Sequence, residues 1–202
     1  MPEGAFSKAR LEAFSDGVLA VILTIMVLDL KAPRAAEPAA LGQLWPSFAI
    51  YLVSFFLVAL YWINHHSLLA QARSVTVGLL WANNGLLLCT SLIPFATAYV
   101  AGTNLAPFPT AVYAALQCLC GMAFNVMFRA IAQQRDDEPF RQGARIRRRR
   151  NRIAVGLYGL SIALALASPP IAIVLLAALS LAYVAPRFVD TPKAGSTARE
   201  DP

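Results

Sequence analysis

Long apolar stretches without charged side chains dominate this chain. Residues 17–28, 47–64, 74–128 and 153–186 contain no Asp, Glu, Lys or Arg. Such stretches indicate membrane-spanning helices, each of which needs about 20 predominantly apolar residues. A segment at 102–109 that contains Gly, Asn and two Pro divides the third stretch, and Ser168-Pro169-Pro170 divides the fourth into a short hairpin.

The pattern therefore predicts an all-α integral membrane protein with six transmembrane helices. Their approximate bounds are 11–30, 47–70, 75–100, 108–133, 152–168 and 170–187. The last two are short, so a single re-entrant element is the alternative there. The composition agrees, because 58% hydrophobic and 14% charged residues exclude an ordinary soluble domain. Residues 1–189 form the predicted membrane domain, and the polar tail 190–202 is expected to be disordered.

Basic residues are concentrated in every second connecting segment. Loops on the cytoplasmic side of a membrane carry an excess of Lys and Arg. Here the basic segments are both termini and the loops after helices two and four, with Lys8, Arg10, Arg73, Arg135, Arg147–Arg150, Arg187 and Lys193. The opposite loops carry only Lys31 and Arg34. We therefore expect a multi-pass membrane protein with both termini in the cytoplasm.

The run Arg145–Arg152 supplies much of the net charge of +6. A basic run can bind the phosphates of nucleic acid. Between two membrane spans, however, it is predicted to contact anionic lipid headgroups. We therefore expect membrane lipids and not nucleic acid as partners.

Asp16 is an ionisable residue inside predicted helix one, where a charge is costly and should have a partner and a role. Polar groups at the same predicted depth could satisfy Ser15 and Asp16 through imidazole, amide and indole donors. They lie on helices two and three: Trp62, Asn64, His65, Trp81, Asn83 and Asn84. The sequence predicts one shared network, and leaves open whether it is a static scaffold or a moving gate.

A different face of helix one is apolar. At 100° per residue, three side chains fall within about 40° of Val21 and form a stripe with it: Phe14, Ile25 and Leu28. Thr24 borders this stripe at about 60°, whereas Asp16 points about 140° away. The stripe could line a central axis, or it could pack against neighbouring helices or lipid.

Neither a metal site nor an enzyme is predicted. Adjacent His65 and His66 point about 100° apart on a helix, so they do not easily chelate one ion together. The three cysteines lie inside spans and lack metal-ligand spacing. The chain has no GxSxG motif and no phosphate-binding loop. We therefore expect no catalytic residues and no cofactor.

Three motifs occur in order along the first three helices: Arg10-x-x-x-Phe14-Ser15-Asp16-Gly17, Tyr61-Trp62-x-x-His65 and Ser91-Leu-Ile-Pro94-Phe95. Together with the basic segment and the final hairpin, they resemble the prokaryotic six-span form of the transmembrane protein 175 family of potassium channels. The resemblance extends to about residue 189, and it implies a protein of the bacterial cell (inner) membrane.

The resemblance implies a homotetramer in which helix one of each subunit lines a central cation pore. It assigns the constriction to Val21, Ile25 and Leu28, and the preference for potassium to Thr24. It also implies that the Phe14-Ser15-Asp16 positions, in the same motif as Arg10, bond to groups on helices two and three. Potassium ions are then expected in the pore.

The resemblance, together with the apolar stripe, implies a potassium-preferring cation channel that conducts passively through a hydrophobic neck about 10 Å long. Val21 stands where the family usually has Ile or Leu, so a wider and less selective neck is expected. The alternative is a secondary transporter, with a proton-linked variant, that uses Asp16 and His65. A third class is a structural membrane protein in which these polar groups only hold helices together.

Overall fold

The computed structural model describes residues 7–135 and 138–184, and its regular elements there are all α-helices. They are α1 (Lys8–Leu28), α2 (Pro38–Gly42), α3 (Trp45–Leu69), α4 (Val77–Ser91), α5 (Ile93–Gly102), α6 (Pro107–Ala132), α7 (Glu138–Ala167) and α8 (Pro169–Val184). Within the described residues, four segments are long and apolar enough to cross a membrane: Lys8–Leu28, Trp45–Leu69, Val77–Gly102 and Pro107–Ala132. A shorter apolar helix follows at Pro169–Leu179. The prediction of a multi-pass, all-helical membrane protein is therefore confirmed.

Proline and capping residues explain where several helices begin. Thr76 precedes α4, and its side chain accepts a hydrogen bond from the Leu79 amide at 3.2 Å. Helices α2, α3, α5 and α6 each have Pro in the first turn, where its missing N–H removes no helical bond. Pro94 occupies this position in α5, so the third predicted span is broken at Leu92 into α4 and α5.

The basic segment after the fourth span is not a loop. It forms the first half of α7, a helix that continues into the apolar residues up to Ala167. The expected bounds of 152–168 were therefore wrong at the first end, because arginine is a good helix former and the run contains no internal Pro. Among the described side chains of this run, Arg148, Arg149, Arg150 and Arg152 are exposed.

The helices pack around one large core and a small second cluster of alanines. Helix α1 contacts α3, α4 and α5, and α6 contacts α3, α4, α5, α7 and α8. Hydrogen bonds place three segments on the same side of the molecule: the start of α1, the loop between α3 and α4, and the end of α6. Lys8 Nζ donates to the Ala70 carbonyl oxygen at 2.8 Å, and Gln134 Oε1 accepts from the amides of Arg73 and Ser74 at 3.1 and 3.2 Å. The charged ends of these helices therefore share one side of the molecule.

Three predictions fall outside the described residues. They concern the disordered tail at 190–202, the end of the sixth predicted helix at 185–187, and the side chains of Arg145 and Arg147.

Candidate functional site

Helix α1 has one face inside the subunit and another on its surface. The inward face consists of residues that are at most 6% exposed: Leu11, Ser15, Leu19, Ile22 and Met26. The predicted apolar stripe is exposed instead, at 57% for Phe14, 54% for Val21, 44% for Ile25 and 77% for Leu28. The stripe is therefore not part of the core and lies on the surface of the folded chain.

Thr24 lies beside the stripe and is also exposed. Its Oγ1 donates to the Val21 carbonyl oxygen at 2.8 Å, which fixes the rotamer of the hydroxyl. A hydroxyl oxygen that donates in this way keeps its lone pairs for an external partner. The exposed face of α1 thus combines large apolar side chains with the hydroxyl oxygen of Thr24.

A buried polar cluster joins the inward face of α1 to α3 and α4. We call Ser15, His65 and Asn83 the Asn83 cluster; each is at most 1% exposed. Asn83 Nδ2 donates to Ser15 Oγ at 3.1 Å, and Ser15 Oγ donates to the Leu11 carbonyl oxygen at 2.8 Å. Asn83 Oδ1 lies 2.6 Å from His65 Nε2, so that ring nitrogen must carry the proton. The three side chains therefore bond directly to one another.

Asp16 has a different partner, at the edge of the same helix contact. The indole Nε1 of Trp62 donates to Asp16 Oδ1 at 2.9 Å. Asp16 is half-buried and Trp62 is 44% exposed, so this bond lies at the surface of the subunit. The ring of Trp62 also lies 6.3 Å from that of His66, centroid to centroid. Asp16 and His65 thus bond to separate partners.

The other residues of the predicted network lie elsewhere. Asn64 lines a small cavity of about 40 Å³ between α3, α6 and α7. Arg10, Trp81 and Asn84 are exposed, and Trp81 is 73% exposed. The structure therefore divides the predicted single network into two bonded groups, the Asn83 cluster and the Asp16–Trp62 pair. The remaining predicted polar residues bond to neither group.

Two polar groups were not anticipated. The cavity at Asn64 is also lined by four polar side chains from α3, α6 and α7: Tyr61, Asn125, Asn151 and Tyr158. Deeper in the subunit, Thr97 Oγ1 donates to Ser54 Oγ at 2.7 Å, and Ser54 Oγ lies 2.9 Å from Tyr113 Oη. The four-residue spacing of Tyr113 and Gln117, which places both on one face of α6, was the available signal for the second group.

Among the described residues, no group of three His, Cys, Asp or Glu side chains could hold a metal ion. The cysteines at 89, 118 and 120 are free thiols inside the helical core or at its edge. The candidate site is therefore the exposed apolar face of α1, and buried hydrogen bonds on the opposite side of the helix hold it in position.

Comparison with known proteins gives this geometry a family. A family model described as "Endosomal/lysosomal potassium channel TMEM175" matches residues 10–94, which include all but the first two residues of α1 and the whole Asn83 cluster. A potassium channel of Chryseobacterium sp. (strain P1-3) is 38% identical over 167 residues, covering 83% of this chain and 87% of that protein. The chain belongs to the TMEM175 family.

Two further members place the chain within this family. The crystal structure of a lysosomal potassium-selective channel TMEM175 homolog from Chamaesiphon minutus superimposes with a TM-score of 0.80 at 27% identity. The match covers 87% of this chain and 95% of that one. The mouse endosomal/lysosomal proton channel TMEM175 is 38% identical over 120 residues, which are 54% of this chain but only 22% of the mouse protein. These TMEM175 relatives are named as ion channels and not as enzymes, in agreement with the prediction.

Proposed function

We propose that this TMEM175 protein is a potassium-preferring cation channel, with a pore formed by α1 of four subunits. The observation that carries the proposal is the exposure of the α1 stripe, opposite a face that is buried in the subunit core. One helix cannot surround an ion path by itself, so several copies of α1 are needed to close it. A homotetramer is the assembly that the family resemblance implies.

In this tetramer, the narrow part of the pore is a hydrophobic neck made by Val21, Ile25 and Leu28. At a rise of 1.5 Å per residue, the neck is about 10 Å long. Apolar constrictions of this kind stop ion flow by excluding water or by closing with their side chains. Because Val21 is smaller than Ile25 and Leu28, the neck is wider at the Val21 layer than at the other two layers.

We assign the preference for potassium to Thr24. Its oxygen lies on the exposed side of α1, one residue from Ile25, and its own proton is already donated to Val21. Four such oxygens would offer lone pairs to a partly dehydrated cation between two apolar layers. Removing this oxygen should leave conduction in place and reduce discrimination between ions.

The Asn83 cluster and the Asp16–Trp62 pair are proposed as a scaffold. They attach α1 at two points: Ser15 on its inward face bonds Asn83 of α4 at 3.1 Å, and Asp16 at the edge of that face bonds Trp62 of α3 at 2.9 Å. The 2.6 Å contact of His65 with Asn83 ties α3 to α4 within the same cluster. Because these bonds fix the rotation of α1, they also fix the direction of the stripe on its other side. The polar residues would then act on the pore through helix position and not by contact with ions.

The proposed membrane arrangement has six spans, counting α7 and α8 as the last two. The side of the molecule that carries the arginines faces the cytoplasm, by the excess of Lys and Arg in cytoplasmic segments. Both termini then lie in the cytoplasm, and the protein belongs in the inner membrane. The arginines of Arg145–Arg152 would contact anionic lipid headgroups.

Proton transport is the second candidate, favoured by the name of the mouse relative, a proton channel. The sequence suggested a proton-linked transporter that uses Asp16 with His65. Their separate partners argue against direct exchange of a proton between these two side chains. A proton-linked mechanism would therefore need another carrier.

Ion flux into liposomes tests the proposal. Purified protein would be reconstituted, and flux recorded under a potassium gradient, a matched sodium gradient and a proton gradient. We expect potassium flux to exceed sodium flux, and Thr24→Ala to lower that ratio while flux continues. Absence of flux from folded, oligomeric protein under all three gradients would contradict channel function; proton flux alone would favour the second candidate.

A further inference from the structure

A groove between α6 and α7 changes from apolar to cationic along its length. It has a volume of about 570 Å³. On α6 its lining includes Met122, Val126 and Arg129, and on α7 it consists of Arg148, Arg152 and Val155. In each of these two series the residues are four and three positions apart, so they share one face. The remaining lining residues are Asn125 and Phe128 of α6. The groove is therefore a continuous surface, with both helices contributing to each end.

The two helices place their arginines at the same end of the groove. Only the residues from 133 to 137 connect α6 to α7, so the helices run antiparallel. Arg129 lies in the last turn of α6, whereas Arg148 and Arg152 precede Val155 on α7. Following the groove from Met122 toward Arg129 thus leads from the apolar interior of the membrane to its charged side. All three arginines are exposed.

We propose that this groove is a binding site for an anionic glycerophospholipid. Guanidinium groups bind phosphate through paired hydrogen bonds, and basic pockets between transmembrane helices hold anionic headgroups. The arginines would hold the headgroup phosphate, while Met122, Val126 and Val155 accept the upper part of an acyl chain. A soluble anion would use the arginines but would leave this apolar wall uncovered.

The site sharpens the headgroup contact proposed above in two ways. It adds Arg129, which lies outside the basic run and on another helix. It also separates Arg148 and Arg152 from Arg149, their exposed neighbour that does not line the groove. If the lipid were held only by general attraction to a basic surface, Arg148, Arg149 and Arg152 would contribute equally to binding. A site in the groove requires larger contributions from the arginines that line it.

Lipid retention in native mass spectrometry tests this proposal without any measurement of ion flux. The full chain, purified in detergent and delipidated, would be incubated with equal amounts of phosphatidylglycerol and phosphatidylcholine of identical chains. We expect phosphatidylglycerol to be retained preferentially. Arg129→Gln and Arg148→Gln should each lower its retention about fivefold, and the matched control Arg149→Gln by less than about twofold. Equal retention of both lipids, or equal losses for Arg148→Gln and Arg149→Gln, would overturn the site.

A competition experiment separates a lipid from a soluble anion. Glycerol phosphate carries the same phosphate without acyl chains, and would be added to the complex with phosphatidylglycerol at equal concentration. If the apolar wall contributes, the lipid stays bound. Displacement by glycerol phosphate would identify a soluble-anion site and overturn the assignment to lipid. Because the readout is bound lipid, a channel without flux could still confirm the site.

Discussion

Removing the Asn83 side chain should loosen the attachment of α1 to α3 and α4. Asn83 is fully buried and bonds both Ser15 Oγ, at 3.1 Å, and His65 Nε2, at 2.6 Å. In Asn83→Ala, Ser15 can still donate to the Leu11 carbonyl, but the protonated His65 nitrogen loses its acceptor. His65 is 1% exposed, so water cannot readily replace the lost partner.

The cost can be worked from these contacts. Side-chain hydrogen bonds between transmembrane helices contribute about 0.6 kcal/mol on average and up to about 1.7 kcal/mol. A buried donor left without a partner costs about 1–3 kcal/mol. With one bond lost at Ser15 and one donor left unpaired at His65, we expect Asn83→Ala to lower the free energy of unfolding by about 2 kcal/mol.

Unfolding by titration with dodecyl sulfate in mixed micelles measures this difference. The matched control is Asn84→Ala, the same substitution at the exposed neighbouring position, which should change stability by less than about 0.5 kcal/mol. A double-mutant cycle of Ser15→Ala with Asn83→Ala should be non-additive, because the two side chains share a bond. Equal costs at Asn83 and Asn84, together with an additive cycle, would refute the cluster as the attachment of α1.

Three other substitutions test separate parts of the account. Thr24→Ala should lower the ratio of potassium to sodium flux in liposomes without abolishing conduction; an unchanged ratio would remove this hydroxyl from the selectivity proposal. Asp16→Asn weakens the bond to the α3 indole by removing its charge, and should reduce tetramer yield on size exclusion or alter gating. The matched control Asp29→Asn, at the exposed end of α1, should do neither. If Asp16→Asn instead abolishes proton coupling while the protein still assembles, the result favours a transporter. A Cβ at Gly121 would lie 3.4 Å from a side-chain carbon of α7, so Gly121→Leu should cost about 1–3 kcal/mol in the same dodecyl sulfate titration. Gly159→Leu has nothing within 4 Å to displace and should cost less.

The course of the first four spans could be predicted from the sequence because local signals determine it. Predicted and observed bounds differ by at most three residues at the ends of α1, α3 and α6. The apolar runs end at Gly, Pro or polar residues, and Pro94 marks the break between α4 and α5. The first half of α7 was missed because its charge suggested a loop, whereas helix formation depends on backbone propensity and not on polarity.

The division of the polar network could not be predicted from depth alone. Asn64 and His65 are adjacent and at one depth, but they point about 100° apart on α3. His65 therefore reaches Asn83, while Asn64 faces the cavity beside Asn125 and Asn151 on α6 and α7. Which helices flank each face of α3 depends on tertiary packing, and the sequence pattern contains no direct signal for it.

Substitution of one neck residue tests the location of the pore most directly. Ile25 and Val27 are similarly exposed, at 44% and 47%, but point about 160° apart around α1. Potassium flux would be compared for Ile25→Asn and Val27→Asn in liposomes, with equal amounts of tetramer confirmed by size exclusion. If α1 lines the pore with its stripe, Ile25→Asn hydrates the neck and raises flux, whereas Val27→Asn leaves flux within about twofold of the unsubstituted protein. Equal flux from the two variants would contradict the account.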